Sequence, residues 1–440
     1  MLSFRVFASM CHQLAPLSLV VLLSLNGCSD AEAPPAARPA GSAGTAVGPA
    51  ASGEAHAGEL VAGSVSARPP EGAGAGGLPA GPGDAGAEDA STGDAAAAKA
   101  GGLGGFSELV STLSEPNGEF FSDNLISNET SYLQIASALA ARPAGGVYLG
   151  VGPEQNFTYI ALSRPSAAFL VDIRRDNLVH HLYYKALFVE AESRAHFLAL
   201  LLGRPWEADG DPGSEGDIEA VIRHAERRAS DEATVTATLE RAQRRVEQAW
   251  GVALNAADRK SMELMARRFQ ERQLGLRFEL HESSGRRYPS LRELLVQQDP
   301  GGVRRSFLAN EASFRFVQQM QREHRIVPVV GDFAGDRAMP AIATLLREKG
   351  MEVSVFYVSN VEQYLLEPKV WSRWLRNVAA LPVREDGVLV RAYLDQGRRH
   401  PRQMQGHRTA TVSQRFADFT ARQEKKPPRS FWEVVTEGAP

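Results

Sequence analysis

The first residues able to do chemistry are Gly150-Val151-Gly152-Pro153-Glu154-Gln155-Asn156, which follow the apolar run Gly146-Val147-Tyr148-Leu149. Two glycines there permit a tight turn and a close approach of backbone to a ligand. The third glycine of the dinucleotide-binding fingerprint is missing, because position 155 is Gln. Asp172 lies 20 residues beyond Gly152, at the end of a second apolar run, Ala167–Val171. An acidic side chain so placed can accept hydrogen bonds from ribose hydroxyls. The pair therefore suits a nucleoside-containing ligand, or a plain turn in which Asp172 caps the helix starting near Asn177. Arg174 and Arg175 read either as contacts to an anionic ligand or as a solvated loop.

Further candidates follow two later apolar runs. Gly331-Asp332 comes after Ile326–Val330, and Ser359-Asn360 after Glu352–Val358. Just beyond, Asn360 could orient an acceptor amine, Glu362 could accept a proton, and Tyr364 could stack or donate. The alternative is that Asn360 and Glu362 cap the next helix while Tyr364 packs. The polar segment Ser122–Glu129 offers Asn128 and Glu129 as part of a ligand lid, or Ser127 as a helix N-cap. His180 and His181 are adjacent, so on a helix they diverge by about 100° and cannot chelate one ion. His196 does not complete a metal set, and no metal is expected. The chain holds no Gly-x-Ser-x-Gly elbow, Walker loop or His-Glu-x-x-His.

The elements that must position these residues alternate. A helix over Tyr132–Ala141, strands at 146–150 and 167–172, and a long helix over Asn177–Leu202 form a first half, 105–205. Residues 206–300 are polar and helix-biased without strong strand runs, and read as a helical insertion. A second half, 301–396, holds helix Glu311–His324, strand Ile326–Val330, helix Arg337–Lys349, strand Glu352–Val358, a helix around Trp371–Ala380 and a strand over Val388–Leu394. The tail, 397–440, is basic and contains Pro, and predicts irregular structure. Alternating helices and continuously apolar strands imply a Rossmann-like α/β fold. Its sheet is mostly parallel, has helices on both faces and is interrupted by the insertion. In such sheets ligands bind beyond the carboxyl ends of the strands.

The segment Val147–Asp172, with Gly331-Asp332, resembles the fold of S-adenosylmethionine-dependent methyltransferases. The strings Tyr148–Phe157, Val329-Val330-Gly331-Asp332-Phe333 and Ser359-Asn360-Val361-Glu362-Gln363-Tyr364-Leu365 are more specific. They resemble uncharacterised bacterial lipoproteins with that fold, over roughly Phe106–Leu394. The resemblance implies S-adenosylmethionine as cofactor. It puts Gly150 and Gly152 at the methionine moiety, Asp172 at the ribose and Asp332 at the adenine amino group, with Glu154 and Asn156 also in the binding set. It implies Asn360, Glu362 and Tyr364 as the substrate-facing catalytic group. One departure is that position 148, before the first glycine, is Tyr rather than an acidic residue.

The amino terminus reads as an address. Met1–Gly27 carries one charged residue, Arg5, and an apolar stretch of about 12 residues, too short to span a bilayer. It ends in Leu23-Ser24-Leu25-Asn26-Gly27-Cys28, which resembles a lipobox, so Cys28 is the expected lipidation site and 1–27 the signal peptide. Ser29 in place of Asp favours the outer membrane by family analogy. Residues 28–104 read as a disordered tether, since 49 of the 74 positions from 31 to 104 are Ala, Gly or Pro and none is aromatic.

Lys+Arg 48 against Asp+Glu 52 leaves −4, which excludes a strongly basic nucleic-acid binder. The two cysteines, Cys11 and Cys28, build no disulfide framework. Expected partners are therefore the membrane, through Cys28, a small nucleoside-containing ligand and an envelope protein. Two functions follow: methyl transfer, or a non-catalytic binding or scaffold role that reuses the fold in the cell envelope. The compartment counts against the first, because free S-adenosylmethionine is not expected outside the cytoplasm.

Overall fold

The apolar runs become strands because they have no polar face to offer water. β1 (Val147–Gly150), β2 (Ala167–Asp172) and β3 (Ile326–Val330) are buried at every position. β4 (Val353–Ser359) is buried up to its last residue, and the carboxyl-terminal two-thirds of β5 (Val383–Leu394) are buried as well. A strand buried on both faces fits a parallel sheet covered by helices. In the computed structural model, which describes residues 102–281, 286–423 and 427–437, these strands and β6 (Thr409–Arg415) form one sheet in the order β3-β2-β1-β4-β5-β6. The first five are parallel and β6 runs antiparallel beside β5. The chain winds outward from β1 to β3, then returns to place β4 on the other side of β1. The switch point thus lies between β1 and β4. Residues 1–101, which include Cys28, the expected signal peptide and most of the expected tether, lie outside the described residues.

Helices cover the sheet. In chain order the first five are α1 (Phe106–Leu113), α2 (Ala136–Ala140), α3 (Gln155–Ser163), α4 (Arg175–Glu190) and α5 (Arg194–Leu201). Residues 206–300 hold α6 (Ile218–Ala225), α7 (Glu232–Arg244), α8 (Ala256–Arg272) and α9 (Leu291–Val296). Then come α10 (Glu311–Arg322), α11 (Ala338–Glu348), α12 (Pro368–Ala380), α13 (Phe416–Gln423) and α14 (Phe431–Thr436). The helix expected over 177–202 is two helices, because the Ser193 hydroxyl accepts from the His196 amide and starts a new one. The insertion leaves the sheet unbroken. Its helix α8 packs on α4, and Arg175 holds Asp258 of α8 with two hydrogen bonds of 2.7 and 2.8 Å.

The tail corrects the sequence reading. Residues 409–415 are not irregular but pair with β5 over seven positions, from Leu394↔Thr409 to Val388↔Arg415, and two helices follow. Thr409-Ala410-Thr411-Val412 is a short stretch with two β-branched threonines, framed by Arg408 and Arg415. Its buried threonine hydroxyls meet distant partners: Ser131 Oγ lies 2.7 Å from that of Thr409 and 3.2 Å from that of Thr411, and Thr130 Oγ1 lies 3.2 Å from that of Thr409. Nothing local signals that pairing.

Candidate functional site

The loops at the carboxyl ends of the strands carry the residues singled out above, and one segment lies across them all. Residues 114–131 leave α1 and cross the sheet edge in strand order. The Glu115 amide donates to Val330 O at the end of β3 (3.0 Å), and the Gly118 amide to Ile173 O just after β2 (2.8 Å). Asn124 sits at ordinary contact distance from the Gly152 turn after β1. Ser127 donates its amide to Glu154 (3.2 Å), and Ser359, at the end of β4, donates its hydroxyl to Glu129 (2.7 Å). The Ser131 amide finally donates to Thr409 Oγ1 in β6 (2.9 Å). This strap covers the crevice where a doubly wound sheet takes its ligand.

The Gly150–Asn156 turn is closed on itself. Gly152 has φ 78°, in the left-handed region that only glycine enters freely. A Cβ on Gly150 would stand 2.0 Å from Asn156 Oδ1 and 2.6 Å from the Tyr148 ring, so this glycine makes room for side chains of its own chain. Tyr148 donates to Asn156 Oδ1 (2.8 Å), while Asn156 Nδ2 donates to the carbonyls of Val151, Gly152 and Pro153. Asn156 is thus fully used in holding the loop, against the expectation that it binds cofactor. His181 completes the clamp, its Nε2 2.8 Å from Gly152 O. Burial lowers the His181 pKa to about 4, so the ring is neutral and Nε2–H is the donor. His180 is buried beside it and pushed down to about 3, and His196 stacks on Trp206 with ring centroids 4.6 Å apart.

Asp172 is placed where a ribose would require it, but it is taken. Arg174 grips both its oxygens through Nε (3.1 Å) and Nη2 (3.2 Å), and Arg174 Nη1 donates to Ser122 O and Asp123 O of the strap. Arg174 is 5% exposed, so the solvated-loop reading of this residue fails. Asp332 is half-buried and turns back on its own loop, with Oδ1 accepting from the Ala334 amide (2.9 Å).

Glu362 lies away from any opening. It is 0% exposed and held by Arg391 of β5 through two hydrogen bonds and by Trp374 Nε1 (3.1 Å). A carboxylate locked into a buried ion pair has no approach for a substrate proton. Asn360 is half-buried and makes no capping bond, and Tyr364 lies edge-on to Phe120 at 5.9 Å. The three residues of the expected catalytic group therefore point to three different environments.

What does converge beneath the strap is a buried polar cluster. Glu129 Oε1 accepts from Tyr357 Oη (2.5 Å) and Ser359 Oγ, and Oε2 accepts from Gln155 Nε2 (2.9 Å). Burial raises the Glu129 pKa, and the three donors pull it back. Glu154, adjacent, is raised to about 8, chiefly by burial, with Ser127's amide opposing and Glu129 adding to the rise. The space beside Glu154, bordered by Ser127, Tyr132 and Thr158, is ≈ 10 Å³, enough for one water and far too small for a nucleoside. Ser359 sits at φ 51°, a strained conformation for a residue with a side chain, at the end of β4. Among the described residues no three His, Cys, Asp or Glu side chains converge as a metal site requires.

The sequence pattern of a domain of unknown function, DUF7790, matches residues 125–439. The chain belongs to this family. The match begins inside the strap and takes in Glu129, the Gly150–Asn156 turn, Asp172, the insertion, the whole sheet and the tail. The family description carries no activity, and no curated protein matches the chain.

Sequence reasoning missed Tyr357, Gln155 and Arg391 as members of these networks. Arg391 left a signal, since a lone charge inside the apolar run Val388–Leu394 must find a partner when buried. Tyr357 left a weaker one, as a hydroxyl-bearing residue near the end of an apolar strand. Gln155 was noted only for not being glycine.

Proposed function

We propose that this chain is a non-catalytic binding protein of the cell envelope, tethered through a lipidated Cys28, that reuses a methyltransferase-like sheet as a scaffold. The observation that carries this is the Asp172–Arg174 pair. The one carboxylate positioned for a ribose is neutralised by a buried guanidinium that also fastens the strap. Binding a nucleoside there requires breaking a bidentate ion pair and lifting residues 114–131. Calorimetric titration of the mature chain with S-adenosylmethionine and S-adenosylhomocysteine tests this. The expected result is no saturable heat up to millimolar ligand. Binding at micromolar Kd, about −8 kcal/mol, that Asp172→Ala abolishes would overturn the proposal.

Methyl transfer is the second reading, and one observation favours it. Glu129 is a buried carboxyl of the strap with a raised pKa, hydrogen-bonded to the strained Ser359 at the end of β4, and such perturbed groups cluster at functional sites. On that reading the strap opens to admit cofactor, and Glu129→Gln loses methyl transfer while S-adenosylmethionine binding persists.

A further inference from the structure

The opposite edge of the sheet holds a larger opening of different chemistry. A cleft of ≈ 440 Å³ lies where the chain enters β1, where α3 ends before β2, and where the loop after α9 leads into α10. That volume is in the range of small-ligand pockets. Its lining contains Arg142, Arg164, Arg304 and Arg305 and no acidic residue.

These four guanidiniums are only partly satisfied. Arg164 is exposed, sits in the left-handed region at φ 47°, and stacks over Phe316 at 4.9 Å. No carboxylate lies within 4.0 Å of it among the described residues. Arg304 reaches Asp217 and Glu219 only at 3.9 and 3.6 Å, beyond hydrogen-bond distance. Arg305 uses its Nε on Asp299, and Arg142 uses Nη2 on Asp386. The Nε–H groups of Arg142 and Arg304 are buried with no acceptor.

We propose that this cleft is a binding site for a phosphate-bearing ligand. Guanidinium forks match phosphate oxygens in pairs, and the cleft gathers four of them from three chain segments, with Arg164 free of any carboxylate and Arg304 held by its own only at long range. The rest of the lining, including Leu162 and the 46% exposed Val303, offers apolar surface to the uncharged body of the ligand. The phosphate comes from a soluble ester or from a lipid headgroup. The site lies across the sheet from the strap, so it stands whether or not the carboxyl edge binds a nucleoside.

The test uses the mature-length chain with Cys28→Ser, which carries no acyl anchor to confound membrane binding. One arm titrates inorganic pyrophosphate by calorimetry. The other measures co-sedimentation with phosphatidylcholine vesicles, plain or mixed with phosphatidic acid. The expected result is saturable binding in at least one arm, weakened about tenfold or more by Arg164→Ala/Arg304→Ala and by raised salt. Pyrophosphate binding alone identifies a soluble ester, and vesicle binding alone a lipid headgroup. Should the double variant melt early, Arg164→Gln alone, at an exposed residue with no ion pair, carries the comparison. No binding in either arm, or binding indifferent to both variants, overturns the proposal.

Discussion

Glu154 and the paired histidines give the protein opposite pH sensitivities on its two flanks. In the folded chain Glu154 keeps its proton up to about pH 8, whereas its ordinary value is 4.5. Folding therefore takes up a proton between those limits, and stability falls as pH rises from about 4.5 to about 8. His181 and His180 act the other way. Their folded values, about 4 and about 3, lie below the ordinary 6.5, so the unfolded chain binds protons that the fold refuses. Stability is lost as pH falls from about 6.5 through those values. We expect Glu154→Gln to flatten the alkaline side. Urea unfolding near pH 5 and pH 8 should show the wild-type loss shrinking by about 2–4 kcal/mol in the variant. An unchanged loss would mean that another group titrates.

At the scale of elements, the ion pair between the turn after β4 and strand β5 separates a structural Glu362 from a catalytic one. Glu362→Ala leaves Arg391 charged and 1% exposed without its carboxylate, and should cost about 3–5 kcal/mol in chemical unfolding. A near-neutral variant would restore Glu362 as a free base. The strap has its own weak point at Gly118, where a Cβ would meet Ile173 Cγ1 at 2.3 Å and its carbonyl at 3.3 Å. Gly118→Ala should lift the strap locally, at a cost of about 1–2 kcal/mol. Hydrogen exchange over 114–131 should speed up while β1, β2 and β4 stay protected. Faster exchange across the whole sheet would show that the strap and the core open as one unit.

For the whole molecule, β6 is the strand that keeps β5 from being a sheet edge. Ending the chain at Arg408 removes seven paired positions and bares the backbone of a long, largely buried strand. Exposed apolar edges recruit other chains. We expect the truncated protein to form soluble aggregates in light scattering at concentrations where the full chain is monodisperse. A well-behaved truncated chain would mean that α12 and the remaining loops shield β5 unaided. The two edges of the sheet also differ in character. The carboxyl edge is roofed by the strap and self-paired, and the amino edge is open and rich in arginine.

Much of this architecture was legible because it depends on local composition. Val147–Leu149, Ala167–Val171, Ile326–Val330 and Val353–Val358 have no polar face, so they must be covered strands, and the helices between them force a parallel order. Gly152 and Asp172 were located at strand ends for the same reason. The partners of those residues were not legible. Whether Asp172 meets a ribose or Arg174, and whether Gly150 faces a ligand or Asn156, depends on side-chain directions two and six residues away within a loop. β6 was lost because its pairing with β5 and Ser131 is non-local. By itself, then, the sequence determined the strands, their parallel sheet and the strand-end positions of the candidate residues, since burial and periodicity are properties of contiguous segments. Only the tertiary structure decided which of those residues are free. That answer lies in a strap that comes before β1 in the chain yet reaches the carboxyl ends of β1 to β4, and no local pattern records such a contact.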